Sequence, residues 1–274
     1  MKLKQTFGAL SVAALMAVAS APASAAYVVL DGWQLFTPTT TTTGIGRLNL
    51  SSGTATVYQE VNGSGNVFVG AKFSETGAIY SISYTKENVV GAGDIGAPTA
   101  LGDSLTLSFS NVTGSVTGLN PGGGFSYKFD TGNFLLSGTG GNYASGSIVG
   151  LGGNLSQTAI IGGVNGDSTV LSTVSQILNA FFDLRTSAGV SLKPQLANGT
   201  VLFESVTNNN VTGVLSSDIA CPFETANRCT AVSVASGGDA YLVQAVPEPG
   251  SLALAGLALF GIGAVRRRTR SWKQ

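Results

Sequence analysis

Few residues in this chain have side chains suited to catalysis. There is no histidine among the 274 residues, which excludes Ser-His-Asp and Cys-His nucleophilic devices and His-ligated metal sites. What stays open is a pair of carboxylates facing each other across a glycosidic bond, at about 5 to 10 Å. Glu60, Glu75, Glu87, Asp94, Asp103 and Asp130 are available for it. None stands in a recognisable signature, and scattered acids in a β-rich chain serve as solvated surface, turns or ion-pair partners. The expectation is a protein that is not an enzyme, with no catalytic residue, no metal and no cofactor.

Cys221 and Cys229 are the only cysteines. An even, closely spaced pair reads as a disulfide closing a small loop, which Pro222 helps to bend, provided the chain reaches an oxidising compartment. A zinc site would need a third cysteine or a histidine, and the spacing is not that of a C-x-x-C redox pair. Gly162 to Asp167 is one imperfect copy of a calcium-binding Gly-Asp repeat. It has Asn165 where the repeat needs glycine and lacks the tandem array, so a turn is the simpler reading. Trp33, Tyr58, Tyr80, Tyr84 and Tyr127 stack on sugars if exposed and fill a core if turned inward.

The elements that must position these residues are mainly strands. Period-two alternation dominates. It places Val57 and Val61 on one face of Thr54 to Val61, and Tyr80, Ile82 and Tyr84 on one face of Ala78 to Tyr84. It also puts Leu105, Leu107 and Phe109 on one face of Ser104 to Ser110. Phe125 to Phe129, Thr230 to Ser236 and Tyr241 to Val246 repeat the pattern. Turn signals fall at Asn62-Gly63, Asn120-Pro121-Gly122, Thr131-Gly132-Asn133 and Asn198-Gly199. Thr37-Pro38 and the run Thr39 to Thr43 read as an exposed loop, and Gly138 to Gly166 as a glycine-rich loop or short strands. The fold expected is mainly β, an antiparallel sandwich or jelly-roll-like body.

One segment departs from that pattern. Val170, Leu171, Val174, Ile177, Leu178, Phe181 and Phe182 fall at helical spacing, with Asp167 and Ser168 placed as N-caps and Gly189 just past the end. This predicts one amphipathic helix over about 169–188, its apolar stripe packed on the same body.

Charge is distributed unevenly. The ends hold seven of the fourteen cations, and residues 27–246 hold thirteen of the fourteen acids, which leaves that body near −6. An acidic body argues against nucleic acid as a partner, since phosphate neutralisation needs clustered Lys and Arg. Glycine is 38 of 274, about twice ordinary usage, and charged residues are only 10%. Such a chain is too apolar for disorder.

Both ends read as addresses. Lys2 and Lys4, the apolar run Ala9 to Ala19 and the small residues Ala23-Ser24-Ala25 predict a signal helix over 1–25, cleaved after Ala25 or after Ala26. The partners this implies are the export machinery and signal peptidase. At the other end Pro247-Glu248-Pro249 breaks regular structure. Ser251 to Val265 is then an uncharged stretch of about 15 residues, which rises about 22 Å as a helix against a bilayer core of about 30 Å. Arg266-Arg267-Arg268 follows, a cluster expected on the cytoplasmic side. The expected organisation is a signal peptide at 1–25, an exported body at 26–245 and a tail at 246–270 with a transmembrane helix over about 251–265.

The order of Val246-Pro247-Glu248-Pro249-Gly250, the apolar helix and Arg266 to Arg268 resembles the PEP-CTERM sorting domain of Gram-negative bacteria. The resemblance covers about a tenth of the chain. It implies processing by an exosortase-like membrane enzyme, a transient inner-membrane anchor, and a mature protein at the cell surface or in the extracellular matrix. It also implies an exopolysaccharide or biofilm setting. The body itself matches no family by its residues. A structural or interaction role in that matrix leads, with a carbohydrate-binding module as the alternative and a carboxylate-based glycan enzyme behind it.

Overall fold

A computed structural model describes residues 26–86, 98–120, 124–155, 165–223 and 228–246. The expected signal segment with its cleavage site at Ala25, the tail residues from Pro247 onward and the expected membrane helix at 251–265 lie outside the described residues, as do Glu87 and Asp94. The chain divides into two units. One is Met1–Val28 with Ala245–Gln274, of which residues 26–28 and 245–246 are described, as strand. The other is the body, Val29–Gln244.

The body is almost entirely antiparallel β. After β1 (Ala26–Val29), β2 (Trp33–Phe36) leads into the long β3 (Thr41–Val61), then β4 (Lys72–Thr76), β5 (Ile79–Lys86) and the short β6 (Thr99–Ala100). Next come β7 (Thr106–Asn120), β8 (Gly124–Gly138), β9 (Gly141–Gly150), β10 (Gly152–Leu155), β11 (Asn165–Ile177) and β12 (Asp183–Arg185). The one helix described, α1 (Lys193–Ala197), precedes β13 (Val201–Ala220) and β14 (Arg228–Val246).

The expected two-sheet sandwich or jelly roll is replaced by one sheet that closes on itself. β14 pairs with β3 from Arg228↔Val61 to Ala240↔Leu48. At one end the ring therefore runs β3, β4, β7, β8, β10, β11, β13, β14 and back to β3. At the other end β5 stands in for β4, and β9 stands in for β10. Closure explains how a chain so rich in strand avoids long open edges. The alternation read from the sequence sets which face turns inward. Leu105, Leu107, Phe109, Tyr80, Ile82, Tyr84, Tyr127 and Phe129 are all buried in one core, while Ile79 on the opposite face is 58% exposed.

The predicted helix at 169–188 is not there. Thr169 to Ile177 belongs to β11, Asp183 to Arg185 is β12, and Phe181 stands 76% exposed between them. The misreading has a physical cause. Val170 and Val174 face the main core while Leu171 faces the other side, in a small cluster with Leu202 and Val243. Two buried faces put apolar residues side by side in sequence, as a helix does. A bulge between Val174 and Gln176 then inserts an extra residue and turns a spacing of two into three before Ile177. The β-branched run of Thr169, Val170, Thr173, Val174 and Ile177 favours the strand.

Smaller expectations also shift. Thr41 to Thr43 opens β3 rather than an exposed loop, and Thr37 and Thr42 are buried. Thr131-Gly132-Asn133 runs through β8 opposite a register shift on β7 instead of turning the chain. The glycine-rich stretch after Gly138 holds β9 and β10.

The two ends of the ring differ. One end is solidly filled. Trp33, Leu35, Tyr143, Phe182, Leu184 and Leu196 are all at most 2% exposed, and the rings of Tyr143 and Phe182 stack with centroids 5.6 Å apart. Asp103 closes this end as an acceptor from the Tyr143 hydroxyl and from the Thr139 amide at 2.8 Å. The other end is hollow.

Candidate functional site

The hollow end is a cavity of about 130 Å³. Its wall is built from inward-facing positions of six strands. β3 contributes Val57, Gln59 and Val61, β4 contributes Phe73 and Glu75, and β8 contributes Phe125, Tyr127 and Phe129. β13 adds Asn209 and Val211, and β14 adds Thr230, Val232 and Val234. Ser168 of β11 completes the ring. Each set is spaced by two residues, so the pleat alone delivers these side chains to one space. Gly65 and Val67 stand at its rim. There Asn62 shapes the turn between β3 and β4, its side-chain oxygen accepting from the amides of Ser64 and Asn66 at 3.0 Å each.

The wall is mostly apolar, and its aromatic side is rigid. Phe73, Tyr127 and Phe129 meet one another edge to face, with centroids 5.5 to 5.9 Å apart, a geometry that ring quadrupoles favour. Most of the polar groups are satisfied within the wall. The Tyr127 hydroxyl bonds Ser168, and the Asn209 amide donates to the same Ser168 oxygen. Gln59 donates to the carbonyls of Glu60 and Lys72 at 3.1 and 3.2 Å.

Glu75 is different. It lies on the same inward face as Phe73, and burial pushes its carboxyl up to about 7. By surface exposure it is only half-buried, yet it is enclosed by protein. The two facts agree if its exposed surface faces the cavity rather than bulk water. Burial also pushes the hydroxyls of Tyr80 and Tyr127 up to about 12, and the Glu75 charge adds to both effects. All three groups are therefore electrostatically coupled.

The other acids named from the sequence are placed elsewhere. Glu60 is buried and accepts from the Lys72 amide at 2.6 Å. Asp130 lies between Lys128 at 3.0 Å and Lys72 at 3.7 Å. Burial works upward on its pKa, and the hydrogen bond and charge of Lys128, with the charge of Lys72, outweigh it and lower it. Asp103 sits at the filled end. Asp167 accepts from the Asn208 amide at 3.0 Å. Among the described residues no group of three acids, cysteines or histidines is arranged to hold a metal.

Cys221 and Cys229 are joined, with Cα atoms 5.0 Å apart. Trp33, Tyr80, Tyr84 and Tyr127 are all at most 9% exposed. These four supply core, so they form no exposed platform for sugar rings. Ser168 and Asn209 were not legible as wall residues, because each depends on pairing between strands far apart in sequence. Glu75 was legible in part: an acid two residues after Phe73 puts a charge on the apolar face of a strand.

A family model for the PEP-CTERM protein-sorting motif matches residues 245–268. That span contains Pro247, Glu248 and Pro249 together with Arg266, Arg267 and Arg268. The motif marks a protein sorted by exosortase to the cell surface. No curated protein and no solved structure matches the chain. Among the described residues no helix is long and apolar enough to cross a membrane.

Proposed function

We propose that this chain is a non-enzymatic protein of the outer envelope or exopolysaccharide matrix of a Gram-negative bacterium. A signal peptide ending at Ala25 carries it across the inner membrane. The apolar tail holds it there briefly, and exosortase then releases it. The observation that carries this reading is the sorting motif set directly on the last strand. β14 ends at Val246 and the matched span begins at 245.

The body suits a life outside the cell. It is cross-linked by a disulfide and its sheet closes on itself. The placement of Glu60, Asp103 and Asp130 supports a structural use of acids, since each is held by hydrogen bonds or cations. Matrix polysaccharide is the partner this setting offers.

Cell fractionation of the producer tests the reading. The wild-type chain is expected in the matrix and surface fractions, starting near Ala26 or Tyr27 and lacking Arg266 to Gln274. A Glu248→Ala variant is expected to stay in the inner membrane with its tail intact. Wild-type protein that keeps its tail, or that remains in the membrane fraction, would overturn the proposal.

A further inference from the structure

We propose that the hollow end of the barrel is a binding site for a small apolar amine, whose hydrocarbon body fills the cavity and whose protonated nitrogen docks on Glu75. Nothing in the sorting of the chain requires such a site, and the inference stands on the wall itself.

Size limits the ligand. A cavity of about 130 Å³ is close to engineered apolar cavities of about 150 Å³ that take up benzene. One ring or a short branched chain fills it. The lining limits its polarity. Val57, Val61, Val211, Val232, Val234, Phe73 and Phe129 offer dispersion contacts and no hydrogen bonds. Sugars carry too many hydroxyls for such a wall, because each one left unpaired costs on the order of 1 to 3 kcal/mol.

Charge then chooses the head group. Glu75 is the acid in this wall, and the neighbouring polar groups are committed. Tyr127 and Asn209 both bond Ser168, and Tyr80 bonds Ser236. A buried carboxylate without a cation is costly, and a ligand that brings one removes that cost. An ammonium does so, and an aromatic wall favours a cation further. An anionic ligand is repelled.

The ionisable groups around Glu75 leave it in control of the pH dependence. Tyr80 on β5 and Tyr127 on β8 stay neutral between pH 6 and 8, since both are raised to about 12. Lys72 on β4, Lys128 and Asp130 on β8, Asp167 on β11, Glu60 on β3 and Glu204 on β13 alternate onto the other face from the cavity positions. β7 carries no ionisable side chain, and β14 carries none at its cavity positions Thr230, Val232 and Val234.

The test titrates the intact chain with benzylamine, and with benzyl alcohol as the neutral probe of the same size, by calorimetry. At pH 8 benzylamine is expected to bind at least tenfold more tightly than benzyl alcohol. Its affinity should fall about tenfold from pH 8 to pH 6 as Glu75 takes up a proton. In the isosteric Glu75→Gln variant the preference and the pH dependence should both vanish, while benzyl alcohol binds as before. Equal affinity for the two probes in the wild-type chain overturns the proposal. So does a preference for benzylamine that survives Glu75→Gln undiminished, and so does the absence of binding by either probe.

Discussion

The rings of Phe73 and Tyr127 meet edge to face, with centroids 5.6 Å apart and planes 89° from parallel. The contact joins β4 to β8 across the inside of the barrel, and it fixes the ring whose hydroxyl bonds Ser168 on β11. A single side-chain pair thus ties three strands that are far apart in the chain into one wall of the cavity.

That relationship predicts unequal costs for two substitutions. Phe73→Ala removes the ring that Tyr127 and Phe129 both lean on. It is expected to lower stability by about 3 kcal/mol, the low end for a buried phenylalanine because the site already borders empty space. Tyr127→Phe keeps the ring and deletes one hydrogen bond, while Asn209 still satisfies Ser168, so about 1 kcal/mol is expected. Urea unfolding of the two variants beside the wild type checks the order.

Glu75 makes stability fall as pH rises. Its folded pKa is about 7 against an ordinary 4.5, so between those values the native state holds more protons than the unfolded state. The stabilising protonated form is fully present below pH 4.5 and is lost as pH climbs through 7. About 3 kcal/mol is at stake from a shift of this size. Glu75→Gln should abolish that part of the pH dependence and be the more stable protein at pH 8. Unfolding free energies of both chains at pH 4.5 and pH 8 measure it.

Asp103 works in the opposite direction. Its side chain is only 3% exposed but lies shallow in the body. Burial raises its pKa, and hydrogen bonds from Tyr143, from the backbone and side chain of Thr139 and from Thr37 outweigh that and lower it to about 2. A depressed carboxylate contributes stability above its unfolded pKa of 3.8 and loses it as pH falls through 2. Tyr143→Phe is therefore expected to flatten the acid limb of the stability curve between pH 4 and pH 2. The cost at neutral pH should be about 2 kcal/mol, from a charge-assisted hydrogen bond. Thermal unfolding across that window gives the answer.

Much of the body could be read from alternation alone, because inward and outward positions differ sharply along strands such as Leu105 to Phe109. Closure of the sheet could not. It rests on β3 pairing with β14, whose partners Val61 and Arg228 are separated by most of the chain, and no local pattern records that. The β11 error has the same root. Leu171 is buried on the outer face because Leu202 and Val243 pack there, so a strand with two buried faces imitated a helix. The cavity was hidden for a further reason. Alternation says that Val57, Phe73 and Val232 point inward, but how far the inward side chains fall short of filling the space depends on the width of the ring.

Gly114 on β7 shows how tightly that ring is drawn around its aromatic wall. A Cβ at this position would run into the Lys128 carbonyl on β8 and into the ring of Phe73. The backbone carbonyl has no flexible end to give, and Phe73 is held by Tyr127 and Phe129. Gly114→Ala should therefore push β7 away from β8 and tilt Phe73 into the cavity. Overpacking of this kind costs about 1 to 3 kcal/mol. The same change should weaken benzylamine binding while leaving the pH dependence set by Glu75 in place, since the carboxyl itself is untouched. Gly118, on the same strand with open space at its Cβ position, is the control. Gly118→Ala should change stability by less than about 1 kcal/mol. Calorimetric titration and urea unfolding of the two alanine variants separate a crowded wall from a general loss of glycine on β7.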